Sequence, residues 1–316
     1  MNIHAALHEA CTRIKKSASS NEAKLDAQLL LEHVLNVSHA WLIAHADDEI
    51  QPAAYSHFET LILRRVAGEP IAYILGEREF YGLKLKVTPD TLIPRADTET
   101  LVEAALAKIP QTNKNPASSS LQKRDSNEKE TVDSRFGQNG VVTDNFENLD
   151  SLQILDLGTG SGAIALAIAK NRPYAQITAV DASNAALDVA IENAKTLKIS
   201  NIRYVQSNWY AAVDHERFDV IVSNPPYIEA DDQHLSQGDL RFEPITALTS
   251  GQDGLDDIKQ IIANAKHHLK PNGWLMLEHG YNQANAVAAL LKLAEFSDIQ
   301  HVKDLAGIDR VTLGQY

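Results

Sequence analysis

Two short motifs contain residues whose types and spacing suit ligand binding or catalysis, and each motif follows an apolar stretch. The first is DLGTGSGA at 156–163, with a glycine at every second position from the third onward. The second is NPPY at 224–227, directly after FDVIVS. Proline removes a ladder hydrogen bond, so Pro225 and Pro226 must lie beyond the end of a strand. Their fixed φ angles make this segment a stiff loop.

The glycine motif predicts a binding loop for a nucleoside-containing ligand. A strand runs directly into it and a helix follows, and glycines let the backbone turn tightly and approach a ligand closely. Asp181 ends the next predicted strand, about twenty residues further on, where a carboxylate can hold ribose hydroxyls. It could instead cap the helix predicted at 183–197, for which Ser183 is a competing cap. NAD and S-adenosylmethionine both carry a ribose there. The candidate cofactor-binding residues in this region are Gly158, Thr159, Gly160, Ser161, Gly162 and Asp181.

Three features favour S-adenosylmethionine over NAD as the cofactor. A hydride-transfer enzyme does not need the NPPY motif at 224–227. The chain finishes with a predicted antiparallel hairpin, IQHVKDLAG with RVTLGQY, rather than a second nucleotide-binding half. Finally, Trp209 follows the third predicted strand of this part of the chain, near where an adenine would lie, although a large aromatic residue there could equally pack in the core.

The elements that position these motifs alternate between strand and helix from residue 152 onward. Such alternation predicts an α/β fold, a doubly wound, mostly parallel seven-stranded sheet with helices on both faces. Ligands of such sheets bind outside the carboxyl ends of the strands, where the strand order switches. Both motifs follow strands and therefore belong at that edge.

The rest of the chain divides into three further parts. Residues 1–75 are predicted to form a small helical domain, with leucines on one face in 21–36 and a helix over 52–68. Residues 76–110 form a β-hairpin and a connecting helix, with β-structure expected from IAYIL at 71–75 through KVT at 86–88. Residues 111–150 have mixed charge and no sustained period, which predicts a flexible insertion before the domain at 151–316.

Composition narrows the class of protein. The 316 residues carry a formal net charge of −13, which argues against direct nucleic-acid binding, since that needs a basic face. One cysteine, Cys11, excludes an internal disulfide and fits a reducing compartment. No stretch reaches the ~18 apolar residues of a membrane span, so we expect a cytoplasmic protein without a membrane partner. His4, His8 and Cys11 share a helical face, but without a visible fourth ligand we expect no metal.

Taken together, the motifs resemble those of class I methyltransferases that modify a planar nitrogen. FYGLKLKVTPDTLIPRADTETLVE at 80–103 and RFEPITALTSGQDGL at 241–255 are similar to segments of the release-factor glutamine methyltransferases, the PrmC/HemK family. The resemblance covers nearly the whole chain except 111–150, which is longer than the usual connection. Asn208 also departs from it, since many relatives are expected to carry Asp there. The helical N-terminal part fits the family's substrate-recognition domain.

The resemblance implies transfer of a methyl group from S-adenosylmethionine to the side-chain N5 of a glutamine in peptide chain release factors. It makes Asn224, Pro225, Pro226 and Tyr227 the glutamine-binding and catalytic loop, with Asn224 also bordering the cofactor. Asn224 and Pro225 would supply carbonyl acceptors, Pro226 would stiffen the turn, and the Tyr227 ring would lie against the amide. The alternatives are an adenine-N6 methyltransferase of nucleic acid, a non-catalytic partner of the translation apparatus and, more remotely, a dehydrogenase.

Overall fold

The computed structural model describes residues 1–17, 22–111 and 151–316. The predicted flexible insertion at 111–150 lies outside the described residues, apart from residue 111. Among the described residues up to 75, the chain forms five helices, two of which lie within 21–36 and 52–68, where the sequence predicts them. These are α1 (Ile3–Lys16), α2 (Ala23–Leu35), α3 (His39–Ala44), α4 (Pro52–Val66) and α5 (Ile71–Leu75).

Local sequence explains where these helices begin and end. Asn2 caps α1, because its side chain accepts a hydrogen bond from the backbone N–H of Ala5 at 2.8 Å. Pro52 opens α4 at a position where a missing N–H costs nothing. Gly76 ends α5 with a φ of 73°, a conformation that glycine adopts without strain. The apolar faces of the helices pack into a core of their own.

Residues 76–111 lead from these helices to the main sheet. They contain an antiparallel hairpin of β1 (Glu77–Phe80) and β2 (Leu83–Lys86), then a short 3₁₀ turn at Ala96–Thr98 and helix α6 (Glu99–Lys108). The prediction of β-structure was wrong for Ile71–Leu75, which is helical. A five-residue apolar run has no informative period, and here its contacts with α2 and α4 decide its conformation.

Residues 151–316 form the seven-stranded, mostly parallel sheet that the alternating pattern predicts. Its elements are β3 (Gln153–Leu157), α7 (Ala163–Asn171), β4 (Gln176–Asp181), α8 (Asn184–Leu197), β5 (Ile202–Gln206), β6 (Phe218–Ser223), α9 (Asp256–His268), β7 (Leu269–Glu278), α10 (Ala284–Leu293), β8 (Ser297–Lys303) and β9 (Asp309–Gln315). The strand order is β5-β4-β3-β6-β7-β9-β8, and β9 runs antiparallel to both its neighbours. The order therefore switches direction between β3 and β6.

Side chains of the central strands alternate between two buried layers. Ile154 and Val220 face one layer with α6 and α7, whereas Leu155 and Ile221 face the other with α9 and α10. A strand that is covered on both faces must be apolar at nearly every position, as β3 and β6 are. No helix within the described ranges is long and apolar enough to cross a membrane.

Helix α6 belongs to this main core. Leu101, Val102 and Ala105 are completely buried against the same layer as Ile154. The hairpin contributes as well, since Leu83 is buried in that cluster. The domain boundaries at residues 75, 110 and 150 stay predictions, but apolar residues of the hairpin and of α6 pack as part of the main sheet's core.

Residues 229–250, which we call the bridging segment, run from the NPPY loop to the N-terminal helices. Arg65 of α4 lies 3.3 Å from Asp239, measured from Nη1 to Oδ1. Arg241 donates through Nη2 to the carbonyl of Ala67 at 3.1 Å. The chain that leaves the NPPY loop is thereby tied to the helical part of the molecule.

Candidate active site

A cavity of 420 Å³ opens at the carboxyl ends of β3, β4, β5 and β6. This is the edge of the sheet where the strand order switches, and where ligands of open α/β sheets bind. Its lining contains six of the candidate cofactor-binding and catalytic residues named from the sequence, and these end or follow four different strands. They are Gly158, Gly160, Asp181, Trp209, Asn224 and Pro226.

The glycine turn is shaped by its hydrogen bonds to β4. The backbone N–H groups of Gly158 and Thr159 both donate to the carbonyl of Val180 at 2.9 Å. Gly160 has a φ of 56° and its N–H donates to Asp181 Oδ2 at 2.9 Å. A Cβ atom at Gly160 would meet no atom within 4 Å, so the turn leaves open space at this position. Its backbone can therefore be approached closely by a ligand.

The other three residues of the motif lie behind the cavity. Thr159 is buried and donates through Oγ1 to Asp156 Oδ2 at 2.6 Å. The carbonyl of Ser161 accepts from Asn193 Nδ2 at 2.9 Å. Gly162 is the N-cap of α7. Their predicted contact with a cofactor stays a prediction, whereas their part in holding the turn is visible.

Asp156 is a buried carboxyl directly below this turn. Its Oδ2 accepts from Thr159 and from the backbone N–H of Ala165, and Oδ1 has no hydrogen-bond partner among the described residues. Burial raises the pKa of Asp156 to about 7, although these two hydrogen bonds act to lower it. The group is therefore easily protonated near neutral pH.

Asp181 ends β4 and faces the cavity with a fixed carboxylate. Oδ2 accepts from Gly160 N–H, and Oδ1 accepts from the N–H of Ser183 at 2.9 Å. Ser183, not Asp181, caps α8, since its Oγ accepts from the N–H of Ala186 at 3.2 Å. Each carboxylate oxygen keeps a further lone pair for a ligand donor.

Trp209 lies half-buried between the cavity and the core. Its ring comes within 3.4 Å of the position that a Cβ of Gly158 would occupy, so the ring covers the start of the glycine turn. It also packs against the apolar layer of α9 and α10. Trp209 therefore lines the cavity and also packs in the core, and its contact with an adenine stays a prediction.

The NPPY loop begins where β6 ends and is held from several sides. Ser223 Oγ donates to the carbonyl of Leu157 at 2.7 Å, which fixes the exit of β6 against β3. The N–H of Tyr227 donates to Leu248 of the bridging segment at 3.2 Å. The carbonyl of Tyr227 accepts from Gln283 Nε2 at 3.1 Å.

Two carbonyl acceptors of this loop are unused. Asn224 donates through Nδ2 to Thr98 Oγ1 at 3.2 Å, which turns its Oδ1 away from Thr98. Across residues 1–17, 22–111 and 151–316, no donor reaches Asn224 Oδ1 or the carbonyl of Pro225. Asn224 and Pro226 line the cavity, whereas Pro225 between them is buried and is not among the lining residues. The loop therefore keeps two carbonyl acceptors without an internal partner in the described residues.

Tyr227 contacts a buried carboxyl behind the loop. Its hydroxyl donates to Glu278 Oε1 at 3.4 Å. Burial raises the pKa of the Tyr227 hydroxyl, and the charge of Glu278 raises it further. Burial also raises the pKa of Glu278 to about 7, although the hydroxyls of Thr98 and Tyr227 act to lower it. Glu278, noted in the sequence as a strand-end carboxylate, lies directly behind the loop.

Sequence reasoning did not assign several residues that build the site. Residues 89–92 and 244–247 form two walls of the cavity, and Thr98 contacts Asn224. Glu243 is buried, accepts from Ile93 N–H at 3.1 Å and pairs with Arg95, so it joins the two walls. Burial raises the pKa of Glu243, and Arg95 lowers it. The motifs at 80–103 and 241–255 contain these residues, but spacing alone gives them no role.

Comparison with known proteins identifies the family. A family model described as the PrmC N-terminal domain matches residues 5–76, and one described as a methyltransferase small domain matches residues 138–239. The release factor glutamine methyltransferase of Xylella fastidiosa is 43% identical over 95% of this chain and 95% of its own length. That of Vibrio cholerae is 43% identical over 100% of this chain and 97% of its own length.

Among solved structures, the protein-(glutamine-N5) methyltransferase (release factor-specific) from Alicyclobacillus acidocaldarius is 28% identical. The match covers 73% of this chain and 98% of that chain, with a TM-score of 0.37. The sequence relatives extend along nearly the whole chain and include both matched domains. The chain therefore belongs to the release factor glutamine methyltransferase family.

Proposed function

We propose that this chain transfers a methyl group from S-adenosylmethionine to the side-chain amide nitrogen, N5, of a glutamine in peptide chain release factors. The names of the relatives support the reaction and the substrate class. The observation that carries the proposal is the pair of unused acceptors, Asn224 Oδ1 and the Pro225 carbonyl, in the loop whose residues Asn224 and Pro226 line the cavity. A primary amide has two N–H protons, one for each acceptor.

The cavity suits S-adenosylmethionine. Its volume of 420 Å³ falls within the range of about 300–1,000 Å³ typical of small-molecule pockets. Asp181 offers lone pairs to ribose hydroxyls, the Trp209 ring offers a face for adenine, and the open turn at Gly160 offers close approach to backbone. S-adenosylmethionine supplies an electrophilic methyl group on a positively charged sulfur.

The NPPY loop can compensate for the low nucleophilicity of the glutamine amide by orienting it. An amide nitrogen is a poor nucleophile, because its lone pair is delocalised into the carbonyl. Asn224 and Pro225 would hold the NH₂ group by both protons and so fix the direction of its lone pair. Pro226 restricts the backbone of the turn, and Tyr227 flanks it. Orientation of this kind can contribute up to ~7–11 kcal/mol in favourable intramolecular cases.

The proposal is tested with the full chain and isotope-labelled S-adenosylmethionine. Purified release factor, a release factor with its labelled glutamine replaced by alanine, and double-stranded DNA are incubated separately, and the modified residue is located by mass spectrometry. We expect the label on one glutamine side chain and none on DNA. Label on adenine would indicate the nucleic-acid alternative. Binding of the release factor without any transfer would indicate a non-catalytic partner, and either result refutes the proposal.

A further inference from the structure

Thr98 ends the 3₁₀ turn and directly precedes α6, but its hydroxyl does not cap that helix. A capping threonine usually has an extended backbone and accepts from a backbone N–H of the next turn, whereas Thr98 is already helical, with φ −65° and ψ −20°. Here the side chain makes no such bond. Thr98 is only 4% exposed, and its Oγ1 instead accepts from Asn224 Nδ2 at 3.2 Å. The hydroxyl is directed towards the NPPY loop.

Glu278 lies on the other side of Thr98. It is the last residue of β7 and is 1% exposed. Its Oε1 accepts from the Tyr227 hydroxyl at 3.4 Å, and the neighbouring Thr98 hydroxyl acts to lower the pKa of the carboxyl. Oε2 has no partner within hydrogen-bonding geometry in the described parts of the chain. Such a buried carboxyl needs a reason, since leaving a polar atom unpaired is costly.

The number of protons available to Glu278, Thr98 and Asn224 determines which group donates and which accepts. A threonine hydroxyl has one proton, and an ionised carboxylate can only accept. If Thr98 gives its proton to Glu278, its oxygen can only accept from Asn224. Asn224 must then turn its NH₂ to Thr98 and leave Oδ1 for a ligand. If Thr98 instead donated to Asn224, the amide would turn over and present an NH₂ group, which cannot accept an amide proton.

We propose that Thr98 and Glu278 are positioning residues, which set the direction of the Asn224 amide so that Oδ1 faces the substrate glutamine. The inference rests on the proposed function of the NPPY loop. Neither residue needs to touch the substrate. Glu278 acts through Thr98 on Asn224 and directly on the hydroxyl of Tyr227, so one carboxylate orients both polar side chains of the loop.

The charged groups around Glu278 determine when it is ionised. Arg310 of β9 favours the carboxylate, and Asp97 of the 3₁₀ turn opposes it. Arg310 itself pairs with Asp97 at 3.1 Å and with Asp304 at 3.2 Å. Burial is the largest influence and raises the pKa of Glu278 to about 7. A protonated Glu278 no longer obliges both hydroxyls to donate, so turnover falls as the pH drops through this value.

The experiment compares Thr98→Val with Thr98→Ser in the full chain. Valine keeps the volume of threonine and loses the hydroxyl, whereas serine keeps the hydroxyl and loses a methyl group. We expect Thr98→Val to lower kcat for a release factor by about 10- to 100-fold, the scale of a misplaced reacting group, with unchanged KM and S-adenosylmethionine affinity. Thr98→Ser should stay near wild type. A structural role predicts the reverse order, because packing is lost in the serine variant.

A second variant tests Glu278 through the pH profile of kcat. Glu278→Gln keeps the shape and cannot ionise, so the fall in wild-type kcat below about pH 7 should disappear from its profile. An unchanged acidic limb overturns the role of Glu278, and equal kcat in the valine and serine variants overturns that of Thr98. A wild-type chain that methylates no release factor refutes the proposed function itself, so the two failures are distinguishable.

Discussion

Replacing Asn224 by alanine tests the catalytic loop most directly. The structure offers two unused acceptors for the glutamine amide, Asn224 Oδ1 and the Pro225 carbonyl. The variant keeps one of them, so the NH₂ group can rotate about a single hydrogen bond. Loss of one orienting hydrogen bond should cost ~2.7–4 kcal/mol of transition-state stabilisation, by analogy with oxyanion-hole donors, which corresponds to a 10²–10³-fold lower kcat.

The stability of the fold should change little in this variant. Thr98 loses one hydrogen bond, that from Asn224, so the cost is about 1 kcal/mol. The assay is single-turnover methylation of a release factor, with S-adenosylmethionine affinity measured alongside. Asn264→Ala, at an exposed position on α9, is the matched control. Wild-type turnover in Asn224→Ala would show that NPPY is a structural turn and would refute the reasoning.

Three further predictions concern the cofactor site and the buried charges. Asp181→Ala should weaken S-adenosylmethionine binding about 10- to 100-fold in calorimetry, since a charge-assisted hydrogen bond contributes ~1.5–3 kcal/mol. An unchanged affinity would contradict the proposed contact between Asp181 and the ribose. Because burial raises the pKa of Asp156 to about 7, the native state holds a proton that the unfolded state has released. Wild type should therefore lose ~4 kcal/mol of stability relative to Asp156→Asn as the pH rises from about 4 to 7, in denaturant melts with exposed Asp188→Asn as control; a constant difference would exclude this. Arg65→Met should lower the free energy of unfolding by ~3–5 kcal/mol in thermal unfolding, because it leaves buried Asp26, 2.8 Å away, without its charged partner. Adding Asp26→Leu should recover part of this loss of stability. Equal losses in the single and double variants would argue against a desolvated ion pair.

The sequence predicts the sheet well because its signals are local. Each central strand of 151–316 is a short apolar run next to a helix with its own period, and such alternation has few solutions. The cavity's place follows from the same logic, since the glycine turn and NPPY both come after strands of that sheet. The five-residue helix at Ile71–Leu75 has no such period, and its conformation depends on contacts with other helices.

The contacts that Thr98 and Glu278 make behind the NPPY loop cannot be predicted from local sequence patterns. Thr98 and Asn224 are 126 positions apart in the chain, and their hydrogen bond depends on how α6 packs against the sheet. Propensity would assign the Thr98 hydroxyl to its own helix. Glu278 ends an apolar strand, and nothing in that strand shows that two hydroxyls meet its carboxylate. Such contacts follow from tertiary packing.

The wall formed by residues 89–92 limits how this protein can be divided. A fragment that starts at residue 151 would contain all seven strands of the sheet, yet the cavity would be open on one side. Glu243 would lose both Ile93 and Arg95, and the apolar surface that α6 covers would be exposed to water. The unit that can fold and bind as one therefore begins no later than the β1–β2 hairpin, well before the first residue of the sheet.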